Sequence, residues 1–148
     1  MATANRAALI AMQSKLGGMG GVTQAVIGEP KLGVQDGLVA IIPTSGRIDE
    51  TTLTSPREIH VVSLRRYENM LNRPGEGIEF AMDQWRAEIL EDIFGDFDLG
   101  GTVAYALPVE TEWRYGYQTI GEGQGQVPYR LLDLQVAYRI DDNSTFAV

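Results

Sequence analysis

Residues 132–140 read LDLQVAYRI, and the alternation leaves little choice of backbone. Leu132, Leu134, Val136, Tyr138 and Ile140 occupy every second position, separated by Asp133, Gln135, Ala137 and Arg139. Period two places alternate side chains on opposite faces of an extended strand. One apolar and one polar face predict an antiparallel sheet that is packed on one side only. The preceding segment 102–120 repeats the pattern, since every odd position from Val103 to Tyr117 is apolar or threonine, with Pro108 marking a bend. GEGQGQ at 121–126 connects the two runs. Both runs are longer than the usual five or six residues of a strand, so one is expected to extend beyond the core as a hairpin arm.

Upstream, residues 3–16 have a helical pattern, with Ala7, Ile10, Ala11 and Ser14 on one side and Leu9, Met12 and Leu16 beside them. GGMGG at 17–21 stops that helix and forms a hinge. VTQAVI (22–27) and GLVAIIP (37–43) predict short strands. The polar, Thr- and Ser-rich segment 43–58 predicts an exposed loop, and EIHVVSLRRYE (58–68) a further strand. Ile78, Met82, Trp85, Ile89 and Ile93 form one apolar stripe of a helix from about Glu76 to Phe94, capped by Gly95. Phe80, Ala87 and Phe94 make a second stripe, which implies cover on more than one side. This order predicts an α+β fold in one domain, 1–148: a mostly antiparallel sheet packed against one long helix and an N-terminal helix, with long loops or a hairpin arm.

Several functions are excluded by composition. The chain has 148 residues and no cysteine, so disulfides, thiolate metal sites and cysteine nucleophiles are absent. Its one histidine, His60, rules out a multi-histidine metal site within one chain and reads as a half-buried sheet residue. No serine lies in a G-x-S-x-G elbow, and GGMGG lacks the features of a phosphate-binding loop. No apolar run approaches the ~20 residues that span a bilayer, which predicts no membrane partner. The N-terminus reads as an amphipathic helix rather than a signal peptide.

Charge is unevenly distributed. The net charge is −8, with +2 over residues 1–75 and −10 over residues 76–148. This opposes free-standing nucleic-acid binding and is compatible with two unlike faces that meet between copies of the chain. The densest acidic stretch is EILEDIFGDFDLGG (88–101), with Glu88, Glu91, Asp92, Asp96 and Asp98. An EF-hand register from Asp96 fails, because position 5 is Gly100 and position 12 is Leu107. Acids at a helix C-terminus also oppose the macrodipole. Three readings remain for this cluster: a solvated helix face, a partner-binding surface, or a metal or catalytic site. Arg57, Arg65, Arg66 and Arg73 bracket one strand and the turn after it, and guanidinium groups suit interfacial pairing with carboxylates. Tyr105, Trp113, Tyr115 and Tyr117 read as core or inter-subunit packing.

GEPKLG (28–33), residues 58–108 from EIHVVSLRRYE through DQWRAEILEDIFGDFDLGG to AYALP, and YRLLDLQVAYRIDD (129–142) resemble the tail terminator proteins of long-tailed, siphovirus-type phages, above all those infecting actinobacteria. The resemblance spans roughly residues 5–142 and has no catalytic motif. It implies a virion protein of the head-proximal tail end, assembled in the host cytoplasm. Such a protein forms a hexameric ring that caps the tail-tube protein, ends tube polymerisation and presents a docking surface to the head connector or stopper protein. DNA would pass through the ring without sequence-specific binding. No enzymatic activity and no cofactor are implied. A stopper, a tail-to-head joining protein, a tail-tube subunit and a metal-dependent enzyme using residues 88–98 are the competing readings. The expected subunit interface joins Arg57, Arg65, Arg66 and Arg73 to Glu88, Glu91, Asp92, Asp96 and Asp98 of the next copy, with Phe94, Phe97 and Trp113 adding apolar contact.

Overall fold

A computed structural model describes residues 4–30, 36–51, 56–71, 74–95, 105–121 and 126–140, with the side chains of 4, 49–51, 56, 93–95 and 105–112 outside that description. The chain is α+β. Its elements are α1 (Ala4–Gly17), β1 (Gln24–Ile27), β2 (Leu38–Thr51), β3 (Pro56–Asn69), α2 (Gly75–Gly95), β4 (Tyr105–Ile120) and β5 (Val127–Ile140). The strands form one mixed five-stranded sheet in the order β1-β2-β3-β5-β4. Only β1 and β2 run parallel; the other three pairings are antiparallel.

The alternation in β5 decides where the core lies. Leu132, Leu134, Val136, Tyr138 and Ile140 are all buried, and they join Val62 and Leu64 of β3 and Val39 and Ile41 of β2 on one face of the sheet. Ile78, Met82, Trp85 and Ile89 of α2 close over that face, as their spacing predicts. α1 adds Ala8, Met12 and Leu16, which lie one turn apart along the helix. The line through Ala7, Ile10, Ala11 and Ser14 is not its buried side, since Ile10 and Ser14 are exposed. A smaller cluster of Leu38, Ala40, Tyr67, Tyr129 and Leu131 lies on the other face, so the two ends of the sheet differ in polarity there.

Two expectations are corrected. Segment 43–58 is mostly strand, since β2 continues to Thr51 and β3 starts at Pro56, paired from Pro43↔Val62 to Thr51↔Pro56 with irregularities after Pro43 and Ile48. β1 ends at Ile27, opposite Ile41, so residues 43–48 of β2 form an edge exposed on both faces. A strand with two wet faces has no apolar alternation, and its polar composition therefore reports exposure rather than irregular backbone. The arm expected of 102–120 or 127–141 is also absent from β5, which stays buried to Ile140. In β4, extra residues between Pro108 and Trp113 shift the register against β5, in the manner of a bulge near a proline.

GGMGG stops α1, but the turn that follows is clamped rather than hinged. Met19 is in the core, and Val22 N–H donates to the Met19 carbonyl. Gly37 sits where three segments cross: its N–H donates to the Tyr67 carbonyl at 2.8 Å and its carbonyl accepts from Thr23 N–H at 3.1 Å. Its φ is +79°, and a Cβ there would lie 2.5 Å from the Gly21 carbonyl oxygen. Gly37→Ala therefore combines left-handed strain with a backbone clash, and is expected to cost at least about 2 kcal/mol, or roughly 4–8 °C in Tm. Gly20→Ala, whose Cβ would meet nothing within 4 Å, is the control expected to melt within about 2 °C of the parent. Thermal unfolding by circular dichroism measures both.

Candidate functional site

Arg65 and Arg66 are neighbours on β3, so their side chains leave opposite faces of the sheet. Arg66 goes to the helix side and is buried. Its Nε and Nη2 donate to Glu68 Oε1 at 2.9 and 2.6 Å, and Nη2 also donates to the Gly21 carbonyl at 3.2 Å. Its guanidinium carbon lies 5.7 Å from the centre of the Trp85 ring. Arg66 is thus committed to its own subunit, and the expected role in pairing with another copy does not fit its burial. The alternation His60–Val62–Leu64–Arg66 carried this signal, because it assigns Arg66 to the face of the core residues.

Arg65 goes to the helix-free face. Its Nε donates to Asp133 Oδ1 at 2.7 Å, and Ser63 Oγ donates to the same oxygen at 3.0 Å. Partial burial works against its charge, but Asp133 and Tyr67 together outweigh that and raise the Arg65 pKa. Register places more cations on the same face. Arg65, Asp133 and Arg114 form one cross-strand row, and Arg47, Ile59 and Arg139 form another. Arg57 follows by the same alternation along β3. Single-sequence reasoning missed Arg47, Arg114 and Arg139, because their common face depends on strand register.

The acids lie across the sheet on α2. Glu91 and Asp92 are exposed, and Glu88 is half-buried and accepts a 2.9 Å bond from Gln84 Nε2. Glu76 and Asp83 also lie on the exposed side of α2, where Asp83 accepts a 3.0 Å bond from Arg86 Nη2. Near its sheet-facing flank, Glu79 pairs with Arg130 at 2.8 Å. No basic residue occupies the last turn of α2, so the acids there receive no help from their own helix. Among the described residues, no three His, Asp or Glu side chains converge as metal ligands would. Arg73, Asp96, Phe97 and Asp98, and the side chain of Phe94, lie outside the described residues.

Trp113, Tyr115 and Tyr117 of β4 face the helix side at the sheet edge, while the side chain of Tyr105 lies outside the described residues. Trp113, Tyr115 and Tyr117 are 36%, 40% and 67% exposed. Arg86 of α2 lies 4.3 Å from the Trp113 ring centre, and Arg130 lies 4.4 and 5.1 Å from those of Tyr117 and Tyr115. Trp113 is thus a partly covered edge residue, held by its own helix through a stacked guanidinium. His60 is half-buried, as expected, at 2.7 Å from Glu58 Oε1 and stacked on Tyr138. The Tyr138 hydroxyl donates to Asn5 Oδ1, and burial raises its pKa. No helix is long and apolar enough to cross a membrane, among the described residues.

The different placements of Arg65 and Arg66 yield a direct comparison. Arg66→Glu would put two carboxylates in the core and is expected to leave no cooperative melting transition, whereas Arg65→Gln should lower Tm by only a few degrees, roughly 1 kcal/mol. Glu68 also makes stability depend on pH. Burial, then the neighbouring Asp36, outweigh Arg66 and push the Glu68 pKa up to about 7. Because the folded value lies above the unfolded one, the contribution is fully present below the ordinary carboxylate range and disappears as pH rises through about 7. Between pH 5 and pH 8 this group should remove stability on the order of 2–3 kcal/mol, and Glu68→Gln should abolish that part of the change. Urea unfolding of both chains at the two pH values measures it.

Compared with protein-family models and with curated proteins, the chain matches none.

Proposed function

We propose that this chain is a structural virion protein, the ring-forming terminator of a siphovirus-type tail, as its resemblance implies. Copies would close into a hexameric ring on the last ring of the tail-tube protein, stop its growth and receive the head connector or stopper protein. DNA would traverse the ring without base recognition, and no cofactor or catalytic residue takes part. The observation that carries this reading is the separation of charge. The cationic rows lie on the helix-free face of the sheet, and the acidic surface lies on α2 across the sheet from them.

Two unlike patches on opposite sides of one subunit favour head-to-tail contact. Such contact generates a closed ring if the rotation closes. A like-to-like dimer would bring cations against cations or acids against acids. Charge matching of this kind steers association and sets register more than it supplies affinity. The interface proposed here therefore contains Arg57 and Arg65 from the earlier expectation, adds Arg114, and omits Arg66. Glu91 and Asp92 remain on the acidic side, with Glu88 beside them.

Deletion of the gene from a phage that encodes it is the test of function. Tails of irregular, excessive length that fail to join heads are expected in electron micrographs. Heads carrying tails of normal length would overturn the proposal. For the interface, Arg65→Gln should raise the concentration for half-assembly about tenfold, equivalent to ~1.4 kcal/mol. The same assembly should weaken as salt rises from 0.05 to 0.5 M, values chosen to shorten the Debye length from above to below about 10 Å. Light scattering coupled to size exclusion reads both effects.

A further inference from the structure

We propose that Asp36 and Glu68 form a proton-dependent latch on the turn after α1: while they share a proton, residues 18–23 stay closed against the sheet, and its loss lets that turn open as a unit without global unfolding. The latch operates within a single subunit, with or without a ring. Among the described residues, three long-range hydrogen bonds hold the turn. Arg66 Nη2 donates to the Gly21 carbonyl at 3.2 Å, Thr23 N–H to the Gly37 carbonyl at 3.1 Å and Thr23 Oγ1 to the Asp36 carbonyl at 2.8 Å. Two of the three therefore depend on where Asp36 and Gly37 lie. That segment is fixed in turn by the end of β3. Asn69 N–H donates to Asp36 Oδ1 at 2.9 Å, and Gly37 N–H donates to the Tyr67 carbonyl at 2.8 Å. The Asp36 side chain also reaches that of Glu68, which is fully buried.

Two carboxyl groups in a hydrogen bond need one proton between them. With it, Glu68 donates to an Asp36 oxygen, and Arg66 balances the remaining negative charge. Without it, one guanidinium faces two carboxylates. The neighbouring groups do not supply the difference. Arg130 lies opposite Glu68 in register on β5, but it is bonded to Glu79 at 2.8 Å. Glu88 of α2 lines the same cavity as Arg66 and adds negative charge. Arg66 retains Glu68 through its two bonds, so Asp36 is the carboxylate that is pushed away. Its displacement carries Gly37 with it and releases Thr23 from both bonds. Burial and Asp36 hold the Glu68 pKa at about 7 against the pull of Arg66. The closed form is therefore the more protonated one, favoured below about pH 7 and lost as pH rises through it.

The turn itself can move once released. Glycines at 17, 18, 20 and 21 surround Met19, which anchors the turn in the core. A cavity of about 390 Å³ already separates the turn from α2, lined by Gly20, Gly21, Arg66, Gln84, Trp85 and Glu88, among others. Trp85 Nε1–H is buried with no hydrogen-bond partner among the described residues, so access of water to it favours the open form.

Because the chain has no cysteine, single thiols report each kind of opening. Met19→Cys reports the turn, and Val136→Cys on β5 reports global unfolding; both sites are buried. Labelling rates with a maleimide under native conditions are divided by those of an unstructured thiol peptide at the same pH. At about pH 8, Met19→Cys should react at least about tenfold faster than Val136→Cys, since a local opening is cheaper than unfolding. Its corrected rate should rise about tenfold from about pH 6 to about pH 8 and stay level once Glu68→Gln is added. Asp36→Asn should move the rise to lower pH. Hydrogen exchange of the Thr23 and Gly37 amides reads the same opening in the unaltered chain, with rates insensitive to low urea where those of β5 amides respond. Equal labelling of the two cysteine variants, or exchange of Thr23 and Gly37 only at the β5 rate, would show that the turn opens only with the whole molecule and would overturn the latch. A corrected rate that is level across this pH range, or a rise that persists in Glu68→Gln or keeps its midpoint in Asp36→Asn, would overturn it as well.

Discussion

The buried guanidinium of Arg66 is the interaction on which the remaining structure depends. It rises from the middle strand of the sheet and meets three things at once: the Glu68 carboxylate, the carbonyl of Gly21 and the ring of Trp85. These belong to β3, to the turn after α1 and to α2. The same turn is also met by Gly37, whose lack of a Cβ lets its backbone approach Gly21 closely. A buried ion pair is weak evidence of net stability, because desolvation offsets much of the attraction. Its value here is positional. An apolar substitute at 66 could fill space against Trp85, but it could not hold a carbonyl and a carboxylate in fixed directions.

That commitment of Arg66 shapes the outer surface. With Arg66 turned inward, the cations left to face outward on β3 are Arg57 and Arg65, and both belong to the helix-free side. Register then aligns Arg114 with Asp133 and Arg65, and Arg139 with Ile59 and Arg47. The long helix covers the apolar face and displays its acids on the far side. The polarity of the subunit is thus a consequence of how one amphipathic helix covers one face of the sheet. It requires no separate charged domain.

Element types were legible in the sequence wherever one side of an element is dry. The period-two run of β5 and the 78–82–85–89 stripe of α2 each had a core side that the structure retains. Legibility was lost where both sides are wet, as at residues 43–48, because exposure removes the alternation that marks a strand. It was also lost where pairing decides the outcome. Arg47, Arg114 and Arg139 are far apart in sequence and share a face only through strand register, which no local pattern encodes. Arg66 is a different case. Its parity with Val62 and Leu64 was readable, but the adjacency of two arginines suggested a common patch, and a strand sends neighbours to opposite faces.

The aromatic edge illustrates how a local signal can support two outcomes. Trp113, Tyr115 and Tyr117 alternate as a core-facing strand would, and they do share the face of Leu132 and Leu134. Yet β4 is the last strand of the sheet, and α2 reaches it mainly through Arg86 and by way of Arg130 on β5. The rings are therefore covered by guanidinium planes in place of aliphatic packing, and they remain part exposed. Stacked arginine gives partial shelter at little desolvation cost, since its charge stays near water. An edge sheltered in this way is tolerable in an isolated subunit, although Trp113, Tyr115 and Tyr117 keep part of their apolar area exposed.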